Sequence, residues 1–180
     1  MGHLYFIRHG QTVWNVANKI CGATDIELTD LGRQQAADTG KLIKERGIKA
    51  DEIIYSPLIR ARDTALIISD ICGIPAREEI RLKEQNFGKY EGTARNGETF
   101  RIDKRNFVNS YEGGESMLRL AQRIYNLLDE LSQDDKIYLL VAHNGIVRSV
   151  NSYFCDMTNE EYGNYGIRNC ELKEYEYVFE

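Results

Sequence analysis

The segment Ile137-Tyr138-Leu139-Leu140-Val141-Ala142 forms an uninterrupted apolar run and is followed at once by His143-Asn144-Gly145. A short apolar run of this kind is typical of a parallel strand that is buried on both faces of a sheet. Near the other end of the chain, Leu4–Ile7 is a second short apolar run, and it ends at Arg8-His9-Gly10. The two runs predict two buried strands, each followed directly by a loop that carries a histidine.

Helical and strand patterns alternate between these two runs. Thr29 or Asp30 is a suitable N-cap for a helix that ends at Gly47, and Ser56-Pro57 predicts the start of a helix that ends at Gly73. Further helices are expected over 117–131 and 147–154, and strands over 52–55, 76–81, 137–142 and 172–179. This alternation predicts an α/β fold, a three-layer α/β/α sandwich with a mostly parallel central sheet.

The stretch from Asn86 to Gly114 has no clear periodicity and is rich in Gly, Asn and charged residues. Long irregular excursions in compact domains are usually functional or mobile. Its basic residues either meet a second anionic group of a ligand or form a solvated charged surface; they are Lys89, Arg95, Arg101, Lys104 and Arg105. Its aromatic residues are candidates for a flat wall against a sugar or nucleoside; they are Tyr90, Phe107 and Tyr111.

Length and composition fit one globular domain over residues 1–180, since the 180 residues are 42% hydrophobic and 28% charged. The formal net charge of −5 argues against a nucleic-acid-binding protein, which needs a basic face.

The four cysteines contain no C-x-x-C pair, so neither a zinc site nor a disulfide framework is expected. No apolar run reaches the length of a membrane span and the N-terminus lacks a signal-peptide pattern, so we expect a cytoplasmic protein without a membrane partner.

The two loop histidines are the first candidates for chemistry. Ligands of open α/β sheets bind beyond the carboxyl ends of the strands, so the topology brings His9 and His143 together from opposite ends of the chain. Arg8 adds a guanidinium beside His9, and Arg60 lies in the first turn of a predicted helix. Because an arginine fork matches phosphate oxygens and a helix N-terminus favours anions, these residues predict a pocket for a phosphoryl group. Rivals to Arg60 on the same grounds are Arg33 and Arg62.

These residues also carry a family resemblance. Arg8-His9-Gly10-Gln11-Thr12, with Asn15, resembles the R-H-G-[EQ]-T-x-x-N signature of the histidine phosphatase superfamily, the phosphoglycerate mutase-like proteins. Residues 56–65 are similar to its S-P-L-x-R-A-x-x-T-A stretch, which selects Arg60 over Arg62. Further stretches that resemble family motifs are 28–36, 82–92, 113–116 and 141–145.

The resemblance implies a role for each matching residue. It implies that His9 is a nucleophile that forms a phosphohistidine, and that Glu84 protonates the leaving group. It implies that Arg8, Arg60 and His143 hold the phosphoryl oxygens. Further implied contacts to the substrate come from Asn15, Cys21, Gly22 and Asn144. In this set Cys21 replaces a more usual glutamine and Asn144 a commoner glycine. The resemblance implies neither a metal nor a cofactor.

The expected activity is that of a metal-independent phosphomonoester hydrolase acting through a phosphohistidine. Mutase members of the family are longer, with insertions in the region that here runs from Glu84 to His143, so this chain has little material for a lid. The expected substrate is a small phosphorylated metabolite, such as a sugar phosphate or α-ribazole phosphate. Mutase-type phosphoryl transfer and a non-catalytic domain that binds phosphorylated ligands stay open as alternatives, as do a monomer and a homodimer.

Overall fold

The structure is a computed structural model that describes residues 3–177. Its strands are β1 (His3–Arg8), β2 (Glu52–Tyr55), β3 (Ala76–Glu78), β4 (Tyr138–Ala142) and β5 (Leu172–Glu176). Its α-helices are α1 (Val13–Val16), α2 (Asp30–Glu45), α3 (Ile59–Cys72), α4 (Glu98–Asp103), α5 (Met117–Leu131), α6 (Asn144–Phe154) and α7 (Asn159–Asn164). Two short 3-10 turns cover Ile80–Leu82 and Gly88–Tyr90.

The strands form one sheet in the order β3-β2-β4-β1-β5. β3, β2, β4 and β1 run parallel, and β5 pairs antiparallel with β1. Arg8 lies opposite Ala142 and Tyr55 lies opposite Val141, so the carboxyl ends of β1, β2 and β4 meet at one edge of the sheet. The predicted α/β class with a mostly parallel sheet is confirmed.

Two apolar layers sandwich the sheet. One face buries residues of α2 and α3, such as Ile43 and Ile68, against Ile53 and Val141. The other face buries residues of α5 and α6 against the alternate positions of β1 and β4. β4 has all five residues buried, as a central strand covered on both faces must have. None of the helices within residues 3–177 combines the length and the apolar composition that a membrane crossing requires.

The predicted start of the second helix is wrong by two residues. α3 begins at Ile59, with Leu58 at its N-cap. Ser56 is still tied to the sheet, because its N–H donates to the carbonyl of Val141 at 3.1 Å. Its hydroxyl is hydrogen-bonded to Nε2 of His143 at 2.7 Å and also accepts the N–H of Leu58. Ser56 therefore serves the carboxyl edge of the sheet and does not cap the helix.

Other boundaries also differ from the prediction. β3 ends at Glu78 because the carboxylate of Glu79 accepts the N–H of Arg81 and starts a 3-10 turn. α6 begins directly after β4, with His143 as its N-cap, three residues before the predicted start. The irregular stretch 86–114 contains α4, whose Phe100 is buried. The closing strand is observed over Leu172–Glu176, and the predicted residues Val178 and Phe179 lie outside the described part of the chain.

Candidate active site

His9 follows β1 at the carboxyl edge of the sheet, where its backbone N–H donates to the carbonyl of Ala142 at 2.9 Å. Its Nδ1 lies 2.7 Å from the carbonyl oxygen of Gly10. A carbonyl only accepts, so Nδ1 carries the proton and Nε2 keeps its lone pair. Burial, together with the charges of Arg60 and Arg8, lowers the pKa of His9 well below its usual value. The imidazole is therefore neutral at neutral pH, which is the state a nucleophile requires.

His143 lies beside His9 and is fully buried. The two ring centroids are 5.2 Å apart. Nε2 of His143 pairs with the hydroxyl of Ser56, whereas its Nδ1 is buried without a hydrogen-bond partner among the described residues. Burial and the charge of Arg60 lower the pKa of this imidazole too. The topology thus brings together the two histidines that the sequence predicts to meet.

The two predicted arginines are held by backbone carbonyls. Arg60 is 1% exposed, and its terminal nitrogens donate to the carbonyls of Gly22 at 2.7 Å and Thr24 at 2.8 Å. Arg8 donates to the carbonyl of Ile167 at 2.7 Å. In both residues Nε is buried without a partner among the described residues. Arg8, His9, Arg60 and His143 are called the floor of the site below.

Glu84 approaches the floor from the loop after the first 3-10 turn and is 6% exposed. One carboxylate oxygen accepts the N–H of Gln85 at 2.8 Å, and the other accepts the N–H of Gly145 at 2.9 Å. A Cβ at position 145 would lie 2.2 Å from Oε1 of Glu84. The glycine at the start of α6 therefore makes room for the carboxylate.

A cavity opens over two of the floor residues, Arg8 and His9, and it is strongly cationic. Arg60 and His143 lie behind them and are not among the residues that line it. Four cationic residues line it: Arg8, Arg95, Lys104 and Arg148. The single carboxylate in the lining is that of Glu84. Within residues 3–177 none of these cations has a carboxylate within 4.0 Å. Arg95, Lys104 and Arg148 are called the rim below. The arrangement favours a ligand with negative charge at both the floor and the rim.

Each rim cation is anchored to a backbone carbonyl. Lys104 donates to Gly163 at 2.8 Å, Arg148 to Tyr165 at 2.7 Å, and Arg95 to Lys19 at 3.1 Å. Burial and the neighbouring charges of Arg148 and Arg95 lower the pKa of Lys104 to about 7. Proton loss from Lys104 therefore falls near neutral pH. Of the five basic residues in 86–114 for which the sequence left open either an anionic ligand or a solvated surface, Arg95 and Lys104 line this cavity, and Lys89, Arg101 and Arg105 do not. The sequence analysis missed Arg148, which lies four residues after Asn144 on the same face of α6.

The remaining predicted contacts fall into two groups. Asn15, Cys21 and Asn144 line the cavity. Burial raises the pKa of the Cys21 thiol to about 11, so it is protonated at neutral pH. Gly22 does not line the cavity, because its N–H donates to Glu91 and its carbonyl accepts from Arg60.

The predicted aromatic wall is wrong for all three of its residues, because none of them lines this cavity. Tyr90 and Tyr111 are buried in a small apolar cluster with Ile20, Phe87 and Phe100. Of this cluster, the aromatic rings of Phe87 and Phe100 and the side chain of Ile20 line the cavity. The third residue, Phe107, packs against Tyr162. Aromatic content marked the right segment, but which ring faces the ligand depends on contacts between distant residues.

Comparison with known families gives a match along nearly the whole chain. Residues 4–178 match the family model described as "Histidine phosphatase superfamily (branch 1)". The chain is also 34% identical over 187 residues to a Yersinia pestis (strain Pestoides F) protein named "Probable phosphoglycerate mutase GpmB", covering 98% of this chain and 86% of that protein.

Solved structures share the fold. The native mycobacterial glucosyl-3-phosphoglycerate phosphatase matches with a TM-score of 0.82 and 28% identity, over 96% of this chain and 88% of that one. A phosphoserine phosphatase mutant from Entamoeba histolytica, in complex with phosphoserine, matches with a TM-score of 0.80 and 30% identity, over 97% and 90% of the two chains.

Proposed function

The chain belongs to branch 1 of the histidine phosphatase superfamily, and from that premise we propose that it is a phosphomonoesterase whose His9 forms a phosphohistidine. The observation that carries the proposal is the state of His9. Its Nδ1 proton is held by the carbonyl of Gly10, its pKa is lowered, and its Nε2 has no hydrogen-bond partner among the described residues. A neutral, oriented imidazole beside two guanidinium groups is suited to attack phosphorus.

The proposed reaction has two steps. In the first, the lone pair on Nε2 of His9 forms the N–P bond as the P–O bond to the leaving group breaks, and protonated Glu84 gives its proton to the departing oxygen. In the second, Glu84 takes a proton from a water whose oxygen attacks phosphorus, and the N–P bond breaks to release inorganic phosphate. Arg8 and Arg60 offset the charge that builds on the phosphoryl oxygens in both steps.

We further propose that the substrate carries a second anionic group. The rim places three cations around one cavity with a single carboxylate, and an anionic group would offset their mutual repulsion. The names of the two solved relatives include phosphoserine and glucosyl-3-phosphoglycerate, and both compounds carry a carboxylate besides the phosphate ester.

A phosphoglycerate mutase is the second candidate, because a relative with 34% identity carries that name. The two activities differ in the acceptor of the phosphoryl group. A phosphatase releases inorganic phosphate from 3-phosphoglycerate, whereas a mutase converts it to 2-phosphoglycerate without net release. Product analysis by phosphorus NMR distinguishes them in one reaction.

The experiment that tests the phosphatase is hydrolysis of p-nitrophenyl phosphate with and without a chelator. We expect chelator-resistant turnover that is lost in His9→Ala and retained in His3→Ala, since His3 lies at the far end of β1. Trapping with radiolabelled substrate should give an acid-labile protein label in the wild type only. Turnover that survives in His9→Ala, or a label that persists there, would contradict the assignment of the nucleophile.

The substrate class is tested with a matched pair of substrates. 3-Phosphoglycerate and glycerol 3-phosphate differ in one group, a carboxylate against a hydroxymethyl. We expect kcat/KM to be higher for the carboxylate compound by about tenfold, the effect of one charge-assisted hydrogen bond. Equal values for the two compounds would remove the second anionic group from the proposal.

A further inference from the structure

The loop at residues 22–24 holds the buried guanidinium of the floor. The carbonyls of Gly22 and Thr24 accept both terminal nitrogens of Arg60, at 2.7 and 2.8 Å. Arg60 has no carboxylate partner within 4.0 Å among the described residues, so these two carbonyls are the contacts that set the direction of its terminal nitrogens. Any shift of the loop therefore shifts the guanidinium.

The loop in turn is held by one carboxylate, that of Glu91. Its oxygens accept the N–H of Gly22 at 3.1 Å, the N–H of Ala23 at 2.9 Å and the hydroxyl of Thr24 at 2.7 Å. A fourth donor, the N–H of Phe87 at 3.0 Å, ties the same carboxylate to the segment that supports the cavity wall. All four groups are donors, which only a carboxylate can satisfy with both of its oxygens.

The packing around this loop leaves no room for a side chain at its first residue, Gly22. A Cβ at Gly22 would lie 2.0 Å from the carbonyl oxygen of Gln85 and 2.4 Å from Oε1 of Glu91. The neighbouring backbone is tied as well, because Ile20 and Gly92–Thr93 exchange N–H···O bonds of 2.8 and 2.9 Å. The loop is thus pressed against the 85–93 segment, and the charge that fixes it there is that of Glu91.

We propose that Glu91 is a positioning residue for Arg60, acting through the loop at 22–24, in the reaction proposed above. Glu91 is absent from the lining of the cavity, and its carboxylate is hydrogen-bonded to the loop and to Phe87 and not to a floor residue. Its carboxylate orients the N–H groups on one side of the loop, and the carbonyls on the other side orient the guanidinium. The inference rests on the proposed function only in so far as Arg60 binds the phosphoryl group.

The decisive variant is Glu91→Gln, which keeps the shape of the side chain and replaces one oxygen with an NH₂ group. That group would face donors, so the loop must shift. We expect kcat/KM for p-nitrophenyl phosphate to fall roughly 10- to 100-fold, since misplacement of a catalytic group by about 1 Å has effects of this size. Binding of orthovanadate, measured by inhibition, should weaken in parallel.

A double-mutant cycle with Arg60→Met separates positioning from a general structural role. If Glu91 acts through Arg60, the double variant is no less active than Arg60→Met alone. If the two losses multiply, the proposal is overturned. Wild-type kinetics in Glu91→Gln would overturn it equally.

The matched control is Glu79→Gln, because Glu79 is also a largely buried carboxylate with a backbone N–H and a guanidinium as its donors. We expect it to lower the melting temperature and leave kcat/KM unchanged. Should Glu91→Gln fail to fold, Thr24→Val removes only one of the four donors and should give a smaller loss of the same kind. No loss in Thr24→Val would then count against the proposal.

Binding of inorganic phosphate by calorimetry keeps the two proposals apart. If the wild type binds phosphate but hydrolyses nothing, the proposed activity is wrong, while weaker phosphate binding in Glu91→Gln still supports the role of Glu91. Unchanged phosphate binding in that variant, beside weaker binding in Arg60→Met, overturns the inference whatever the activity.

Discussion

The floor and the rim of the cavity are built in different ways. Three of the four floor residues are nearly inaccessible, with His9 5%, Arg60 1% and His143 0% exposed, whereas Arg8 is partly buried. The floor residues stand at the carboxyl ends of paired strands or at the start of a helix beside them. The rim cations are more accessible, since Arg95 is exposed and Lys104 and Arg148 are partly buried. They come from the C-cap of α4, from α6 and from the loop before α4, and each is anchored to one carbonyl. The sheet therefore fixes the groups that are proposed to react, whereas the surrounding segments supply the charges that are proposed to select the leaving group.

The largest effect is expected from a change at the edge of the floor, Gly145→Ala. The new Cβ would lie 2.2 Å from Oε1 of Glu84 and displace the carboxylate, while the N–H that Glu84 accepts remains. Loss of a positioned general acid lowers kcat by about 100-fold or more for an alkyl phosphate such as glycerol 3-phosphate. p-Nitrophenolate leaves without much help from an acid, so the loss measured with p-nitrophenyl phosphate should be much smaller.

An equal loss for the two substrates would show that the change damages the whole floor and not the general acid. Circular dichroism and the melting temperature of Gly145→Ala establish whether the fold survives. If the fold is intact, the loss in kcat with glycerol 3-phosphate divided by the loss with p-nitrophenyl phosphate measures how far the change affects proton donation alone.

The floor could be predicted from the sequence, and the rim only in part. His9 and His143 directly follow apolar runs, so the position of each in the sheet follows from local patterning and from the rule for parallel strands. The rim joins Arg95, Lys104 and Arg148, and their proximity depends on how the segment 163–167 folds back over α6. No local pattern encodes that contact.

Two short helices, α1 and α7, show the opposite case, in which a local signal was present but was not used. α1 and α7 were not predicted, although both start with a capping box, Thr12 with Asn15 and Thr158 with Glu161. Their local signal was present, but neither helix has a buried residue, so the apolar periodicity used to find helices could not reveal them.

A second large effect is expected from acid. Burial and the neighbouring guanidinium groups hold the pKa of His9 well below its usual 6.5. Below that pH the unfolded chain takes up a proton that the folded chain does not, so the free energy of unfolding falls as the pH falls. Each such histidine contributes a slope of up to about 1.4 kcal/mol per pH unit.

His9→Gln removes one of these groups. Urea unfolding between about pH 5 and 6.5 should therefore show a slope that is shallower than in the wild type, by up to about 1.4 kcal/mol per pH unit at the lower end of this range. Parallel curves for the two proteins would mean that His9 takes up its proton in the folded state, which would contradict the neutral floor.

A smaller effect is expected from the rim, in Arg148→Met. Loss of this cation should raise KM for 3-phosphoglycerate about tenfold, or about 1.4 kcal/mol, and leave glycerol 3-phosphate unaffected. Arg119→Met is a matched control, because Arg119 is an exposed arginine on α5 that is not among the residues lining the cavity. A rise in KM for both substrates would place Arg148 with the phosphoryl group and not with the second anion.

The smallest effect is expected from the titration of Lys104, whose pKa is lowered to about 7 mainly by burial and then by Arg148 and Arg95, with Glu84 opposing them. The ammonium is present below that pH and lost above it. In the free enzyme, kcat/KM for 3-phosphoglycerate should therefore decline as the pH rises through about 7, and by less than tenfold over about two pH units, because Arg95 and Arg148 keep their charge.

Lys104→Met should remove that decline, and glycerol 3-phosphate should not show it in either protein. The comparison of substrates is necessary because the ionisation of the phosphate group itself is common to both compounds. If the decline occurs with both substrates and survives in Lys104→Met, the titrating group belongs to the floor. The pH dependence would then give no evidence for a separate role of the rim. The proposal that the floor binds the phosphoryl group while the rim binds the second anionic group would be contradicted.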